Sequence, residues 1–272
     1  MSVFCIGFNG VNMLHGSPST TPQRPLRSPK KLHLDAKGVC AVVGCGPGLG
    51  SAVALEFSSQ GYDIALCSRS IKSAATALQK IKARGRKALH FPVDVSDKKS
   101  VKACFEEVSK QLGDVECLVF NASGPSTQGG ILAMDIDVVI QRWNVECLGA
   151  LLCARAVIPA MLRKSSGSLL FTSATAAFRG SATSPAFSIA KFGLRSLSQS
   201  IAKEFGKNGI HACHIRLDCG LNTPKNLKKG YPVEKLGDVT EIAKTYYHLH
   251  TQSKMAWTNE LDIRPHTEKW TC

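Results

Sequence analysis

The residues best placed to do chemistry are three glycines that follow an apolar run near the start of the chain. Gly44, Gly48 and Gly50 end the run that begins at Val39, and a helix-forming stretch, SAVALEF, comes next. Glycine tolerates positive φ, and bare backbone at a helix N-terminus lets N–H groups approach an anion such as a pyrophosphate. The spacing is Gly-x-x-x-Gly-x-Gly, because Leu49 stands where Gly-x-Gly-x-x-Gly needs its third glycine. The pattern predicts a dinucleotide-binding turn, and an ordinary glycine-rich turn is the alternative.

A short polar segment after the second apolar run bears on the choice of coenzyme. At this place an acid binds the ribose 2′-OH of NAD, whereas a cation accommodates the 2′-phosphate of NADP. The chain has Ser68-Arg69-Ser70 there and no acid. Arg69 can contact a phosphate with two N–H groups, so the segment predicts NADP(H), and an exposed arginine that starts a helix is the alternative. Asp94, after the third run, is placed to accept from the adenine amino group or to cap a helix.

Strands and helices in alternation must position these residues. Apolar runs occur near AVVG, DIALCS, ALHFPV, ECLVFN, SLLFTS and IHACHIRL, with longer amphipathic stretches between them. Such alternation predicts one α/β domain over residues 37–272, with a parallel sheet covered by helices on both faces. Helices are predicted where apolar residues recur every three or four positions, at Ile71–Arg84 and Lys98–Leu112, and a further helix-like segment spans Val239–His250.

Residues 1–36 differ from this domain in composition. They contain no acid before Asp35, and their middle is rich in Ser, Thr and Pro. This composition is typical of an organellar transit peptide or of a disordered extension, and the prolines oppose a long amphipathic helix. We therefore expect an N-terminal extension. If it is a transit peptide, the protein is expected in an organelle such as the mitochondrion; if it is a disordered extension, the protein is expected in the cytoplasm.

The net charge, the apolar runs and the cysteines indicate which partners and ligands to expect. The net charge of +14 is spread over 272 residues, which supports nucleic-acid binding only weakly and also suits an anionic coenzyme or substrate. No uninterrupted apolar run reaches the roughly 18 residues of a membrane span. The 11 cysteines lack zinc-site spacing, and many lie in apolar runs. They predict buried thiols in a reducing compartment and no metal site.

Taken together, these motifs resemble the short-chain dehydrogenase/reductase family over residues 39–223. The matching pieces are Gly44-x-x-x-Gly48-x-Gly50, Asp94-Val95, Asn121-Ala122-Ser123-Gly124 and Asn144-Val145-x-x-x-Gly149. The resemblance implies a Rossmann-type, doubly wound seven-stranded sheet, a nicotinamide coenzyme and a homodimer or homotetramer. It implies coenzyme contacts from Gly44, Gly46, Gly48, Leu49, Gly50, Ser68, Arg69, Asp94, Val95, Asn121, Ala122, Lys191 and Thr223.

The same resemblance reveals changes at the catalytic positions. The family uses a Tyr-x-x-x-Lys pair on one face of a helix, where the ammonium lowers the pKa of the phenol. The matching residues here are Phe187 and Lys191, and the family's serine position, thirteen residues before the tyrosine, holds Ala174. Asn144 and Lys191 match the remaining two positions. With Ser173 next to Ala174 as a substitute donor, catalytic roles are expected for Asn144, Ser173 and Lys191.

Two functions from different classes fit these features. The first is an NADP(H)-dependent oxidoreductase for a small carbonyl or enoyl substrate, with a proton from Ser173, Thr172, Ser188 or a lysine-bound water. Loss of a general acid costs roughly 10²- to 10⁴-fold in rate, whereas enzymes accelerate reactions by roughly 10⁶-fold or more. Turnover can therefore survive the loss of the tyrosine. The second is a catalytically silent NADP(H)-binding scaffold or sensor; neither function requires a specific nucleic-acid partner.

Overall fold

Runs of buried apolar residues form the central strands, because a parallel sheet covered by helices on both faces excludes water from both sides of each strand. The computed structural model of the protein describes residues 36–125 and 128–269. The strands are β1 Val39–Val43, β2 Asp63–Ser68, β3 Ala88–Pro92, β4 Val115–Phe120, β5 Gly167–Ala174, β6 Ile210–Leu217, β7 Gly220–Leu221, β8 Leu236–Gly237 and β9 Glu260–Ile263. Seven of them form one sheet in the order β3-β2-β1-β4-β5-β6-β9, and β7 pairs with β8. All neighbours in the large sheet are parallel, so the predicted Rossmann-type architecture is confirmed.

Helices cover both faces of this sheet. They are α1 Leu49–Ser59, α2 Ile71–Ala83, α3 Lys98–Leu112, α4 Ile136–Trp143, α5 Gly149–Lys164, α6 Pro185–Phe205, α7 Pro224–Lys228 and α8 Val239–His250. Buried residues of α3, α5 and α6 belong to one hydrophobic core, and those of α1, α2 and α8 belong to a second core. The two cores are separated by the sheet, as expected of a doubly wound fold. The three helices predicted from the sequence, α2, α3 and α8, are present within one residue of their predicted ends.

The strand order reverses direction between β1 and β4, and this is where the glycine turn lies. Gly44 directly follows β1 with φ of +85°, and a Cβ on it would lie 2.4 Å from the backbone nitrogen of Ala122, after β4. The side-chain amide of Asn121 donates to the Gly44 carbonyl at 3.0 Å. The two loops therefore pack backbone to backbone, and only glycine fits at position 44.

One helical segment of the described residues, Ile136–Lys164, is long and apolar enough to cross a membrane by length and composition. Half of its most apolar stretch is buried inside the protein. In α5 the buried residues belong to the core on the α3 and α6 side of the sheet: Ala150, Cys153, Ala154, Val157, Ile158 and Met161. The apolar character of this segment is thus used in packing against the sheet.

Two sequence predictions have different outcomes here. The six apolar runs form six strands of the large sheet. The seventh strand of that sheet, β9, was not apparent from the local pattern because it is a four-residue edge strand with alternating exposure. The predicted extension, residues 1–36, lies outside the described residues apart from Ala36, so its nature and the cellular location stay predictions.

Candidate active site

A cleft of about 520 Å³ opens where the carboxyl ends of β1, β2, β3 and β4 meet, at the reversal of strand order. Ligands of open α/β sheets bind at this point because the flanking loops diverge there. Eight of the residues expected to contact a coenzyme line the cleft: Gly44, Gly46, Ser68, Arg69, Asp94, Val95, Asn121 and Ala122. Gly48, Leu49, Gly50, Lys191 and Thr223 do not belong to its lining.

Gly48 and Gly50, which do not line the cleft, allow close packing around the turn. Gly48 is the N-cap of α1, and a Cβ on it would lie 2.7 Å from the Thr223 methyl group, so a side chain there would force one of them to shift. A Cβ on Gly50 would lie 2.9 Å from the Gly44 carbonyl oxygen. Leu49 is buried in the core of the α1 face. The turn therefore presents backbone and the start of a helix toward the cleft, which suits a bound diphosphate.

Arg69 and three serines, Ser68, Ser70 and Ser73, line the other end of the cleft. Ser68 Oγ donates to the Ser70 carbonyl at 3.0 Å and accepts from Ser73 Oγ at 3.0 Å. The His90 ring nitrogen Nε2 lies 3.0 Å from Ser68 Oγ. Arg69 itself is exposed at the rim. An arginine beside several hydroxyls is a suitable set of donors for a phosphate.

Ser73 and His90 were not among the residues predicted from sequence. Ser73 lies one helical turn beyond Ser70, so helical spacing was a usable signal for it. His90 reaches the cluster only because β2 and β3 pair with Leu66 opposite His90. That pairing depends on the register of two strands, which a single sequence does not specify.

Asp94 lines the cleft and does not cap the following helix. The N-cap of α3 is Asp97, which accepts from the backbone N–H groups of Lys99 at 2.9 Å and Ser100 at 3.3 Å. Asp94 Oδ1 accepts from the hydroxyl of Ser96 at 2.6 Å and from its N–H at 2.9 Å. These hydrogen bonds lower the pKa of Asp94, with a smaller contribution from Arg69. The carboxylate is thus held as an acceptor at the cleft wall.

Phe187 and Lys191, the pair matched to the family's Tyr-x-x-x-Lys, lie on α6 and do not belong to the lining of the cleft. Phe187 is one turn before Lys191, and the Lys191 ammonium is 5.7 Å from the centre of the Phe187 ring. Lys191 is 4% exposed, donates to the Thr172 carbonyl at 3.2 Å and lies 3.1 Å from Glu146 Oε2. Burial lowers the pKa of Lys191, while the Glu146 carboxylate acts in the opposite direction.

Glu146 is the acidic partner that the sequence analysis missed. It lies in a π-helical turn, Asn144–Leu148, between α4 and α5, and it has no exposed surface. π-Helical turns of this kind occur frequently at functional sites. The residue of this turn that reaches Lys191 is Glu146, whereas Asn144, two positions earlier, is partly exposed. The available signal was an acid within an otherwise apolar segment.

A buried arginine completes this group. Arg142 Nη2 donates to Glu146 Oε1 at 2.7 Å, and Arg142 Nη1 donates to the Pro125 carbonyl. The guanidinium carbon also lies 4.5 Å from the centre of the Phe187 ring, a cation–π contact. The Phe187 ring therefore lies next to the cations of both Arg142 and Lys191.

The candidate hydroxyls differ in where they point. Thr172 Oγ1 is 2.8 Å from Tyr246 Oη on α8, so it faces the side of the sheet away from α6. Side chains alternate along a strand, and Ser173 therefore faces the α6 side together with the buried Phe171. Ser173 Oγ and Ser188 Oγ are buried, and neither has a hydrogen-bond partner within the described part of the chain. The structure thus brings Ser173 and Lys191 to one side of β5 and separates Thr172 from them.

Comparison with known proteins gives consistent matches. A family model described as short chain dehydrogenase matches residues 38–224. The 3-oxoacyl-[acyl-carrier-protein] reductase of Bos taurus is 29% identical over 213 residues, which cover 76% of this chain and 88% of that protein. The reductase of the same name from Homo sapiens is 29% identical over 212 residues, which cover 75% of this chain and 87% of that protein.

Solved structures show the same likeness. A short-chain dehydrogenase from Rhodopseudomonas palustris has a TM-score of 0.73 and 28% identity, with 84% of this chain and 99% of that chain covered. A metagenomic short-chain oxidoreductase in complex with NADP has a TM-score of 0.74 at 23% identity, with 86% of this chain and 99% of that chain covered. This second likeness concerns the fold alone.

Proposed function

The chain belongs to the short-chain dehydrogenase family, and we propose that it is an NADP(H)-dependent oxidoreductase acting on a small carbonyl or enoyl substrate with an altered proton donor. The observation that carries the proposal is the cleft at the strand reversal, which has a glycine turn at one end and Arg69 among hydroxyls at the other. An elongated anion with a diphosphate and a further phosphate fits these two ends. When bound, the coenzyme supplies a hydride for reduction.

The chain's own residues bind and orient the coenzyme. The backbone of Gly44 and Gly46 receives the diphosphate, and Arg69 pairs with the 2′-phosphate. Asp94 accepts from the adenine amino group, and Val95, Asn121 and Ala122 form the remaining wall. We assign the nicotinamide ribose to Lys191, as the family resemblance implies, and we place Thr223 near the nicotinamide amide.

The proton step departs from the family's usual arrangement. Phe187 takes the tyrosine position and has no proton to give, and Ala174 takes the serine position. Ser173 is the best candidate donor because its hydroxyl is buried on the α6 face and is unpaired among the described residues. Asn144 is retained as a candidate through the resemblance, although Glu146 makes the contact with Lys191.

The relatives suggest the substrate class. Two mammalian proteins that cover three quarters of this chain are named 3-oxoacyl-[acyl-carrier-protein] reductases. We therefore propose a thioester with a 3-oxo group or a conjugated double bond as substrate. NADPH consumption with a 3-oxoacyl thioester and with an enoyl thioester tests this class. If the chain binds NADPH but turns over neither thioester, the result would favour the second candidate function, which is described next.

That second function is an NADP(H)-binding scaffold or sensor without turnover. One observation favours it: the Phe187 ring, which has no hydroxyl, contacts the cations of Arg142 and Lys191 at the position where the family has a phenol. Binding of coenzyme is common to both functions, and turnover separates them.

The first prediction concerns Arg69. Arg69→Gln is expected to lower the affinity for NADPH about tenfold, which corresponds to about 1.4 kcal/mol, because a bidentate phosphate contact is lost. The affinity for NADH should stay the same, since NADH lacks the 2′-phosphate. Quenching of tryptophan fluorescence by each coenzyme measures both constants. Arg84→Gln is the matched control, since Arg84 is exposed at the far end of α2. Equal losses for NADPH and NADH would contradict the role of Arg69.

We also propose that the chain forms a homodimer or homotetramer. Large apolar side chains are exposed on the outer faces of α4, α5 and α6: Ile136, Ile140, Trp143, Leu151, Ile189 and Phe192. An exposed apolar surface of this kind is typical of a protein–protein interface. Sedimentation velocity of the purified chain measures the mass directly, and a monomer at micromolar concentration would count against the proposal.

A further inference from the structure

Glu146 joins three segments of the candidate site through one fully buried carboxylate. Its Oε1 accepts from Arg142 at 2.7 Å, from Ser123 Oγ at 3.0 Å and from the backbone N–H of Gly124 at 2.9 Å. Its Oε2 lies 3.1 Å from the Lys191 ammonium. The end of α4, the loop after β4 and α6 therefore meet at this side chain. Each of these partners is a hydrogen-bond donor, which is the set that a carboxylate requires.

The cost of burying these charges shows why the contacts matter. Removal of a carboxylate from water is unfavourable unless it is paired and hydrogen-bonded. Arg142 and Lys191 are themselves 4% exposed, so the group contains two buried cations and one buried anion. Glu146 is the anion common to both ion pairs.

The charged groups around Lys191 act in opposite directions. Burial and Arg142 lower the pKa of Lys191, and the Glu146 carboxylate raises it. On β6, His214 is also within electrostatic range, and its own pKa is lowered to about 4, chiefly by burial. Arg195, one turn further along α6, is paired with Glu260 on β9. Among these neighbours, Glu146 is the group that stabilises the charged form of Lys191.

We propose that Glu146 is a positioning residue that fixes the ammonium of Lys191 and keeps this lysine in the charged form that binds the coenzyme. The inference rests on the proposed function, in which Lys191 contacts the nicotinamide ribose. It assigns to the chain a carboxylate that acts through Lys191 and does not touch the coenzyme. The same carboxylate accepts from the Ser123 hydroxyl and the Gly124 N–H, and both residues line the cleft.

Glu146→Gln tests the proposal because it is nearly isosteric. The amide oxygen still accepts from Arg142, Ser123 and Gly124, while the amide NH₂ group faces Lys191 and provides no negative charge. The pKa of Lys191 should fall, so the lysine becomes neutral at a lower pH. NADPH affinity of the variant should match the wild type below the new pKa and then decline by about tenfold per pH unit above it, until it equals that of Lys191→Met. The wild type should show the same decline only at a higher pH, because Glu146 raises the pKa of Lys191.

Several variants separate positioning from a purely structural role. Glu146→Asp keeps the charge and should restore the wild-type pH profile. Glu146→Gln combined with Lys191→Met should bind weakly at every pH, without a further pH dependence. Glu106→Gln, which alters an exposed carboxylate on α3, should leave the profile unchanged. If Glu146→Gln does not fold, Arg142→Gln is the alternative variant. Arg142 lowers the pKa of Lys191, so its replacement should move the decline in NADPH affinity to a higher pH.

The outcomes distinguish the two proposals. Failure of the wild type to bind NADPH would overturn the proposed function. Wild-type binding with the same pH profile in Glu146→Gln, or in Arg142→Gln if that variant is needed, would overturn the role of Glu146 and leave the proposed function standing.

Discussion

Replacement of Glu146 by leucine is expected to lower the free energy of unfolding by about 3–5 kcal/mol, because it leaves the buried cations Arg142 and Lys191 without their shared counter-ion. The leucine also leaves the Gly124 N–H and the Ser123 hydroxyl without their acceptor. Urea unfolding followed by circular dichroism measures the loss, with the slope of the transition as a check on compactness.

A matched control exists on α3. Glu106 forms an ion pair with Lys102 at 3.7 Å, with the cation four residues before the acid, as in the pair of Arg142 and Glu146. Both partners on α3 are mostly exposed. Glu106→Leu should therefore change the unfolding free energy by only about 0.5 kcal/mol. A similar small effect for both variants would contradict the view that the buried charges of Arg142, Glu146 and Lys191 depend on one another.

Substitution of Gly44 by alanine should damage both the fold and the coenzyme site. The residue has φ of +85°, and the added Cβ would lie 2.4 Å from the Ala122 backbone nitrogen, which no side-chain rotation can relieve. Strain at positive φ costs about 1–3 kcal/mol, and separation of the two loops adds to it. We expect a loss of stability of at least that size and a fall in NADPH affinity of about tenfold or more, measured by urea unfolding and by fluorescence quenching.

Gly46→Ala separates the two effects. No heavy atom would lie within 4 Å of a Cβ at this position, so the fold should lose about 0.5 kcal/mol or less. Gly46 nevertheless lines the cleft, and the new methyl group should weaken NADPH binding. A stability loss in Gly46→Ala as large as that in Gly44→Ala would contradict the assignment of the close approach to Gly44.

Much of the fold was predictable because its strands are buried on both faces. Such strands appear in the sequence as short continuous apolar runs; β2 and β6 coincide with the runs predicted for them, and β1 and β4 overlap theirs. The turn after β1 was predictable for a related reason, since close backbone approach leaves glycine as the residue that fits. These are local properties, and the sequence displays them directly.

The inner part of the candidate site was less accessible. Glu146 lies in an apolar helical segment, and its role depends on the meeting of three segments far apart in sequence. The cation–π contact between Arg142 and Phe187 likewise depends on how α4 packs against α6. Sequence patterns describe periodicity within one element, but they do not specify which side chains of different elements come together.

The contact between the glycine turn and the loop after β4 bears on folding during synthesis. The Asn121 amide and the Gly44 carbonyl that it binds are 77 residues apart in sequence. A nascent chain that has left the ribosome only as far as β3 contains the glycines but lacks the backbone that packs against them. Pairing of β4 with β1 must close a long loop, which makes such contacts late and slow. A coenzyme that binds at this turn would therefore stabilise the growing chain only after β4 has emerged.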